Sequence, residues 1–417
     1  MDPGSPSYGT SDGSCGYGDL SKTAYPFWSV AALSTQNQFY LAGPANGCGE
    51  CFEIQCLNSG GQFAGRCNSD PALTFNKIAP MLNGRIDIQY RRVECTPPVP
   101  VKVQIDGNSG TGGWLRLAVT TNGGSGGVKT VQVKGPNSGW QGLSNTFGAE
   151  WELPNQPSLP IDLHIISDSG QEITAYGVIT TSGQTGTVST NQQFAFSGIA
   201  TNYGGPSQAM DPYTPSYGTS DGSCGYGVMD KTQYPYWSVA ALSPSNPFYI
   251  AGPIAACGQC FEIQCLNSGG QFAGRCNSDP SQRSTTVMIS DVCPECEADH
   301  LDIQALTYDK IAPMLSGRID IQYRRVQCTP PSNLVVNIDQ NSGTGGFLKM
   351  SVSTAGGSGG ISSVQVKGPN TAWTGLHNLY GAEWELDTQP QLPLDIHIIA
   401  DTGAEEVQAH QLVDHLR

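Results

Sequence analysis

The sequence predicts an all-β fold, present twice, and three observations carry that prediction. Apolar and polar residues alternate over short runs such as C-F-E-I-Q-C (51–56) and R-I-D-I-Q-Y-R-R-V (85–93), the two-residue period of a strand. Turn-forming clusters separate the runs; the 417 residues include 52 glycines and 28 prolines with no collagen period. The chain also repeats itself: residues 216–279 restate 7–70, and 312–403 restate 79–170. Cys15 aligns with Cys224 and Trp140 with Trp373, so the offset steps from 209 to 233 and the second copy holds 24 residues that the first lacks.

The first unit opens with a cysteine-rich part, residues 1–97. Its K-I-A-P-M-L (77–82) reads as a helical turn closed by Asn83-Gly84, and T-P-P (96–98) as a stiff linker. Residues 98–197 have no cysteine. V-K-V-Q-I, W-L-R-L-A-V, T-V-Q-V-K, I-D-L-H-I-I and I-T-A-Y-G-V-I recur between glycine-rich turns there, the pattern of a small β-sandwich. Residues 198–329 repeat the cysteine-rich part with T-V-M-I-S-D-V-C-P-E-C-E-A-D-H-L-D (286–302) added. Residues 330–417 repeat the sandwich and then diverge. The counterpart of 173–179 is poorly preserved and that of 194–196 is missing, so this sandwich is expected to lack its closing strand and expose a sheet edge.

Composition narrows the partners. A net charge of −15 argues against nucleic acid and anionic membranes, and no apolar run reaches the ~18 residues of a membrane-spanning helix. A neutral, hydroxyl-rich partner fits better. The opening M-D-P-G-S-P-S-Y-G has neither the charged nor the apolar part of a signal peptide; Met1 aligns with the internal Met210, which leads to the expectation of a further upstream piece.

Six cysteines lie in 15–95 and eight in 224–328, and the extra pair, Cys293 and Cys296, belongs to the added segment. Even counts point to disulfides and an oxidising compartment. Cys257-x-x-Cys260 with Cys293-x-x-Cys296 also fits a zinc pattern, but the first copy keeps Cys48-x-x-Cys51 without a second pair, which favours disulfides. No metal and no cofactor are expected. The G-x-S-x-G matches at 9–13, 123–127 and 218–222 lack the strand-to-helix context of a nucleophile elbow, and residues 1–97 contain no histidine.

Asp291 and Asp302 are the candidate carboxylates. V-M-I-S-D reads as a strand ending at an acid, and two such acids facing one groove shift each other's titration. His300 is a candidate supporting group, whereas His164 and His397, inside strand patterns, read as structural. Trp114, Trp140, Phe147 and Trp151 become Phe347, Trp373, Tyr380 and Trp384 in the second copy, so each position stays aromatic. Some belong in a core; others suit an exposed row on which sugar rings stack.

At G-I-A-T-N-Y-G-G (198–205), G-S-C-G-Y-G (222–227), C-G-Q-C-F-E-I-Q-C (257–265), H-L-D (300–302), I-D-I-Q-Y-R-R-V-Q-C (319–328) and the downstream V-Q-V-K-G-P-N…W, the chain resembles the expansins. The resemblance implies a double-psi β-barrel followed by an immunoglobulin-like β-sandwich, duplicated in tandem, and a secreted protein that loosens cell walls without hydrolysis. It implies that Asp302 is the essential groove aspartate, Asp291 a second acidic groove position, and Thr201 and Tyr203 the pair lining the groove from the first strand. Trp114, Phe147, Trp151, Phe347, Tyr380 and Trp384 become candidates for a cellulose-binding platform. The expected partners are cellulose and matrix glucans, in the extracellular space or wall; the oligomeric state is not assigned. The first copy, without the 198–205 equivalent and the H-x-D segment, is expected to have a broken groove. Two other readings stand beside this one. A family-45-type glycoside hydrolase needs a second carboxylate as base, which A-T-N-Y-G-G does not supply. The third reading is a carbohydrate-binding protein without loosening activity.

Overall fold

The computed structural model describes residues 13–17, 30–42, 47–57, 59–63, 65–67, 85–97, 99–110, 113–206, 222–227, 229, 238–251, 256–343, 345–353, 355–401 and 406–413. The expected helical turn at 77–82 lies outside them. The chain forms two compact units, Met1–Phe196 and Ser197–Arg417.

The second unit contains a closed six-stranded barrel. Its strands are Phe196–Tyr203, Val239–Leu242, Cys260–Cys265, Ser284–Val292, His300–Gln304 and Ile319–Val326. Numbered in that order within the barrel, they pair in the cyclic order 1, 5, 2, 4, 3, 6. Two of the pairings are parallel, first with fifth and second with fourth, and the rest of those described are antiparallel. Ala200, Ala240, Leu242, Phe261, Ile263, Val287, Ile289, Leu301, Ile303, Ile321 and Tyr323 are at most 2% exposed. Closure removes the sheet edges and lets those alternate side chains fill the interior.

The same unit carries a sandwich of two four-stranded sheets. One runs Val335–Ile338, Leu348–Ser353, Glu383–Leu386, His377–Tyr380; the other runs Thr374–Gly375, Ile361–Lys367, Leu394–Ala400, Glu406–Val413. Leu348, Met350, Val364, Val366, Trp384, Ile396 and Ile398 pack between them. The expected loss of a strand is seen, but not at the counterpart of 173–179. The poorly preserved stretch does form a strand, Glu406–Val413, paired antiparallel with Leu394–Ala400. The neighbouring strand supplies the ladder, so weak side-chain patterning does not prevent pairing. What is missing among the described residues is the counterpart of Gly186–Ser189, so Val335–Ile338 pairs only with Leu348–Ser353 and leaves an uncovered edge, as expected.

Barrel and sandwich are tied within this unit. Arg325 Nη2 lies 2.5 Å from Asp401 Oδ2, Gln259 Nε2 donates to the same oxygen at 3.0 Å, and Ala382 N donates to Cys224 O at 2.7 Å. Backbones touch where Gly359 meets Gly258. A Cβ on Gly359 would fall 2.1 Å from the Gly258 carbonyl oxygen, so only glycine permits the approach.

In the first unit the sandwich is larger by one strand. Its five-stranded sheet runs Gly186–Ser189, Lys102–Ile105, Leu115–Thr120, Glu150–Leu153, Ser144–Phe147, facing a four-stranded sheet of Glu172–Ile179, Ile161–Ser167, Val128–Lys134 and Gln141–Gly142. Of the cysteine-rich part, one described sheet remains, Cys51–Cys56 with Ile88–Val93. The matching pair in the second unit shows what is lost. Ile263, Ile321 and Tyr323 are 0–2% exposed in the closed barrel, while their counterparts Ile54, Ile88 and Tyr90 are 38–41% exposed. The added segment, which supplies strand His300–Gln304 and most of Ser284–Val292, is absent from the first copy, so its apolar sheet face is left uncovered.

All fourteen described cysteines are paired. Cys15–Cys48, Cys51–Cys95 and Cys56–Cys67 recur as Cys224–Cys257, Cys260–Cys328 and Cys265–Cys276, and Cys293–Cys296 is internal to the added segment. The disulfide alternative therefore holds over the zinc one.

Candidate functional site

Four positions of the second-unit barrel fall in one row. Thr201 is in register with Asp302, Asp302 with Ala241, and Ala241 with Asp291. The neighbours of this row in each strand, Ala200, Leu301, Ile303 and Ala240, point into the barrel, so the row faces outward. Strict alternation would put Asp291 inside with Ile289. A one-residue bulge prevents this: Ala240 pairs with Ile289, but Ala241 pairs with Asp291, and Ser290 is skipped. Bulges re-aim side chains in this way beside functional sites. The two acids are two strand spacings apart, about 10 Å between backbones, with only the Ala241 methyl between them.

Asp302 heads a chain of polar contacts. Thr201 Oγ1 donates to Asp302 Oδ1 at 2.6 Å and lies 2.8 Å from His300 Nε2. His300 Nδ1 lies 3.1 Å from Glu297 Oε2, and Arg318 holds Glu297 through both terminal nitrogens at 3.1 and 3.3 Å. His300 is only 5% exposed, so its ring nitrogens depend on these partners.

The polarity of the chain constrains its protons. The Thr201 hydroxyl has one proton and donates it to Asp302 Oδ1, so its oxygen is left to accept from His300 Nε2–H. Glu297 anchors the far end in its ionised form: a backbone N–H, then Arg318 and His300, hold its carboxyl below the usual range. Asp302 is displaced the other way. Burial pushes its carboxyl up, the Thr201 hydrogen bond and His300 oppose this, and Glu295 and Asp291 add repulsion.

Asp291 has a structural task as well. Its Oδ1 accepts from Ser223 N at 2.8 Å, Ser223 Oγ at 2.7 Å and Val292 N at 2.8 Å, which pins the turn leading to Cys224 against the bulge. Tyr203 lies two residues beyond Thr201 in the same strand, half-buried and in register with Gln304. The sequence reading missed Ala241, Ser223, Glu297 and Arg318. The H-L-D spacing flags His300, but nothing local flags Arg318, which joins the chain through folding.

The sandwich aromatics divide in two. Phe347 is 36%, Tyr380 50% and Phe147 39% exposed, and Trp114 is half-buried beside the Arg116 guanidinium. Trp151 and Trp384, expected as platform candidates, are 4% exposed and belong to the two sandwich cores. They alternate with the outward Glu150/Glu152 and Glu383/Glu385 in E-W-E-L, so their parity points them inward. Trp140 and Trp373 each stack beside a strand histidine, at 5.4 Å from His164 and 5.5 Å from His397, under a lysine 4.9 Å from the ring.

Known proteins match this architecture in order. A family model described as the expansin C-terminal domain matches residues 101–180 and 334–413, and one described as lytic transglycolase matches 241–323. Expansin-A10 of Oryza sativa subsp. japonica is 28% identical over 213 residues, 44% of this chain and 80% of that protein. Expansin-A7 of Arabidopsis thaliana is 32% identical over 174 residues, 34% of this chain and 63% of that protein. Among solved structures, the apo form of the Clavibacter michiganensis expansin aligns over 52% of this chain and 90% of its own at 18% identity, with a TM-score of 0.39. Both sandwiches thus resemble the expansin C-terminal domain, and the chain as a whole is similar to the expansins.

Proposed function

We propose that this protein binds cell-wall polysaccharide and loosens its contacts without hydrolysis, and that the second unit carries the activity. The row Thr201–Asp302–Ala241–Asp291, with the hydrogen-bonded chain Asp302–Thr201–His300, is the observation that carries this reading. A glucan laid along that row meets the carboxyl groups of Asp302 and Asp291 on either side of the small, buried Ala241. Hydrolysis asks more: a second carboxylate free to activate water. Asp291 Oδ1 is engaged by three donors, which gives this residue a task in holding the Ser223 turn.

The division of labour follows the parts. Residues 198–329 form the competent barrel with Asp302, Asp291, Thr201 and Tyr203 in its groove; 330–417 supply a sandwich whose Phe347 and Tyr380 stack on sugar rings. Residues 98–197 act as an additional binding module through Trp114 and Phe147, and 1–97 retain a remnant barrel. Seven disulfides suit the extracellular wall. Adsorption to crystalline cellulose tests the aromatic part. Phe347→Ala with Tyr380→Ala is expected to weaken adsorption of the full chain by about 1–3 kcal/mol per stacked ring, judged by aromatic stacking on flat rings elsewhere; unchanged adsorption would remove the second platform.

A further inference from the structure

We propose that the second sandwich carries a divalent transition-metal site built from His377, Glu385 and Asp387. One ligand atom from each of the three lies within 4.8 Å of the others, and His377 Nε2 is 3.9 Å from Glu385 Oε1. The hairpin explains the convergence. His377 is directly opposite Glu385 in the register of strands His377–Tyr380 and Glu383–Leu386, and Asp387 follows Glu385 by two residues, so all three share one face. That face is the outward one, because Trp384 between the glutamates is in the core.

The charges at this spot are not otherwise neutralised. Lys349, in register with Glu385, sends its ammonium 2.5 Å from Glu383 Oε2, and that bond is the chief cause holding the lysine above its ordinary range. Among the described residues, no lysine or arginine lies within ion-pair distance of Glu385 or Asp387. Two carboxylates and one imidazole on a surface hairpin therefore lack a cation.

The donor set selects the ion. One imidazole nitrogen with two carboxylate oxygens suits Zn²⁺ and its neighbours; Ca²⁺ and Mg²⁺ favour all-oxygen ligation. Three protein ligands leave a tetrahedral ion one open position, which faces solvent on the face that carries Phe347 and Tyr380. Phe347 directly precedes Leu348, the partner of Leu386, and so stands beside Asp387. A ligand oxygen, such as a sugar hydroxyl, fits that position.

The first copy is a built-in control. Its equivalents by the 233 offset are Ser144, Glu152 and Pro154, with Ser144 opposite Glu152 in the same register. The hairpin is retained there and two of the three ligands are not.

Calorimetric titration of the full chain with ZnCl₂ tests the proposal against His377→Ser, Asp387→Asn and the double variant His377→Ser/Asp387→Pro, which copies the first unit. The wild type is expected to show one saturable site. Each single variant should weaken it by at least the ~10–100-fold that loss of a mere supporting group costs at metal sites. Thermal melts of the same variants, superimposing without zinc and separating with it, are expected because His377 and Asp387 are exposed and hold no core contact. Absence of saturable zinc binding in the wild type, or the same binding in His377→Ser, overturns the proposal. Cellulose adsorption is not part of the readout, so its failure would bear on the wall-binding proposal alone.

Discussion

Thr201→Val is the sharpest probe of the hydrogen-bonded chain Asp302–Thr201–His300. Valine keeps the shape and the β-branched character that suits a strand, and removes only the hydroxyl. Two contacts go with it, 2.6 Å to Asp302 and 2.8 Å to His300. A hydrogen bond to a charged group contributes about 1.5–3 kcal/mol, and leaving a buried partner unsatisfied puts the cost at the upper end. His300, at 5% exposure, is such a partner. A loss of about 3 kcal/mol is expected, and at ~2–4 °C per kcal/mol for a unit of this size the second-unit transition should fall by ~6–12 °C in calorimetry. Thr201→Ser should recover most of it. Nitrogen-15 spectra of the His300 ring give an independent readout: the Nε2 signal should move in Thr201→Val and return in Thr201→Ser. A melting temperature within about 1 °C of wild type, with an unmoved Nε2 signal, would refute the chain.

Other consequences follow from the same geometry. Trp384→Ala should cost about 3–5 kcal/mol of second-unit stability, because it empties a core position, whereas Tyr380→Ala should leave the melt nearly unchanged. Asp302→Asn should raise the second-unit melting temperature by a few degrees near neutral pH, for ~1 kcal/mol of relieved burial. The sign follows from the upward displacement of Asp302: the folded barrel binds that proton more tightly than the unfolded chain, so stability falls as pH rises through the folded titration, and Asn removes the slope. Glu50→Gln makes the parallel case in the first unit. Glu50 is pushed up by burial, opposed by Arg92 and reinforced by Asp168, while its counterpart Gln259 donates to Asp401. The variant should flatten the fall in first-unit stability with rising pH; an unchanged pH–stability curve would count against it.

Much of this was legible in residue order. The tandem repeat located both units, cysteine parity named disulfides over zinc, and H-L-D marked Asp302. What escaped was long-range. The bulge at Ser290 is set by pairing with Val239–Leu242, about fifty residues earlier, and alternation alone would have buried Asp291. Trp151 and Trp384 read as binding residues by type, but E-W-E-L parity sends them inward. Strand Glu406–Val413 lost its apolar pattern yet kept its partner, and backbone pairing with Leu394–Ala400 decided the outcome. Exposure of Ile54, Ile88 and Tyr90 follows directly from a segment whose absence the alignment of the two copies had already shown.

Loosening without cutting at the Asp302 groove separates the proposed activity from hydrolysis. Extension of heat-inactivated plant wall strips under constant load, with soluble reducing ends assayed in the same bath, tests it most directly. Wild type is expected to induce creep with no rise in reducing ends, and Asp302→Asn, folded and still adsorbing to cellulose through the sandwiches, to induce none. Reducing ends that rise with wild type and vanish with Asp302→Asn, or creep that survives the substitution undiminished, would contradict it.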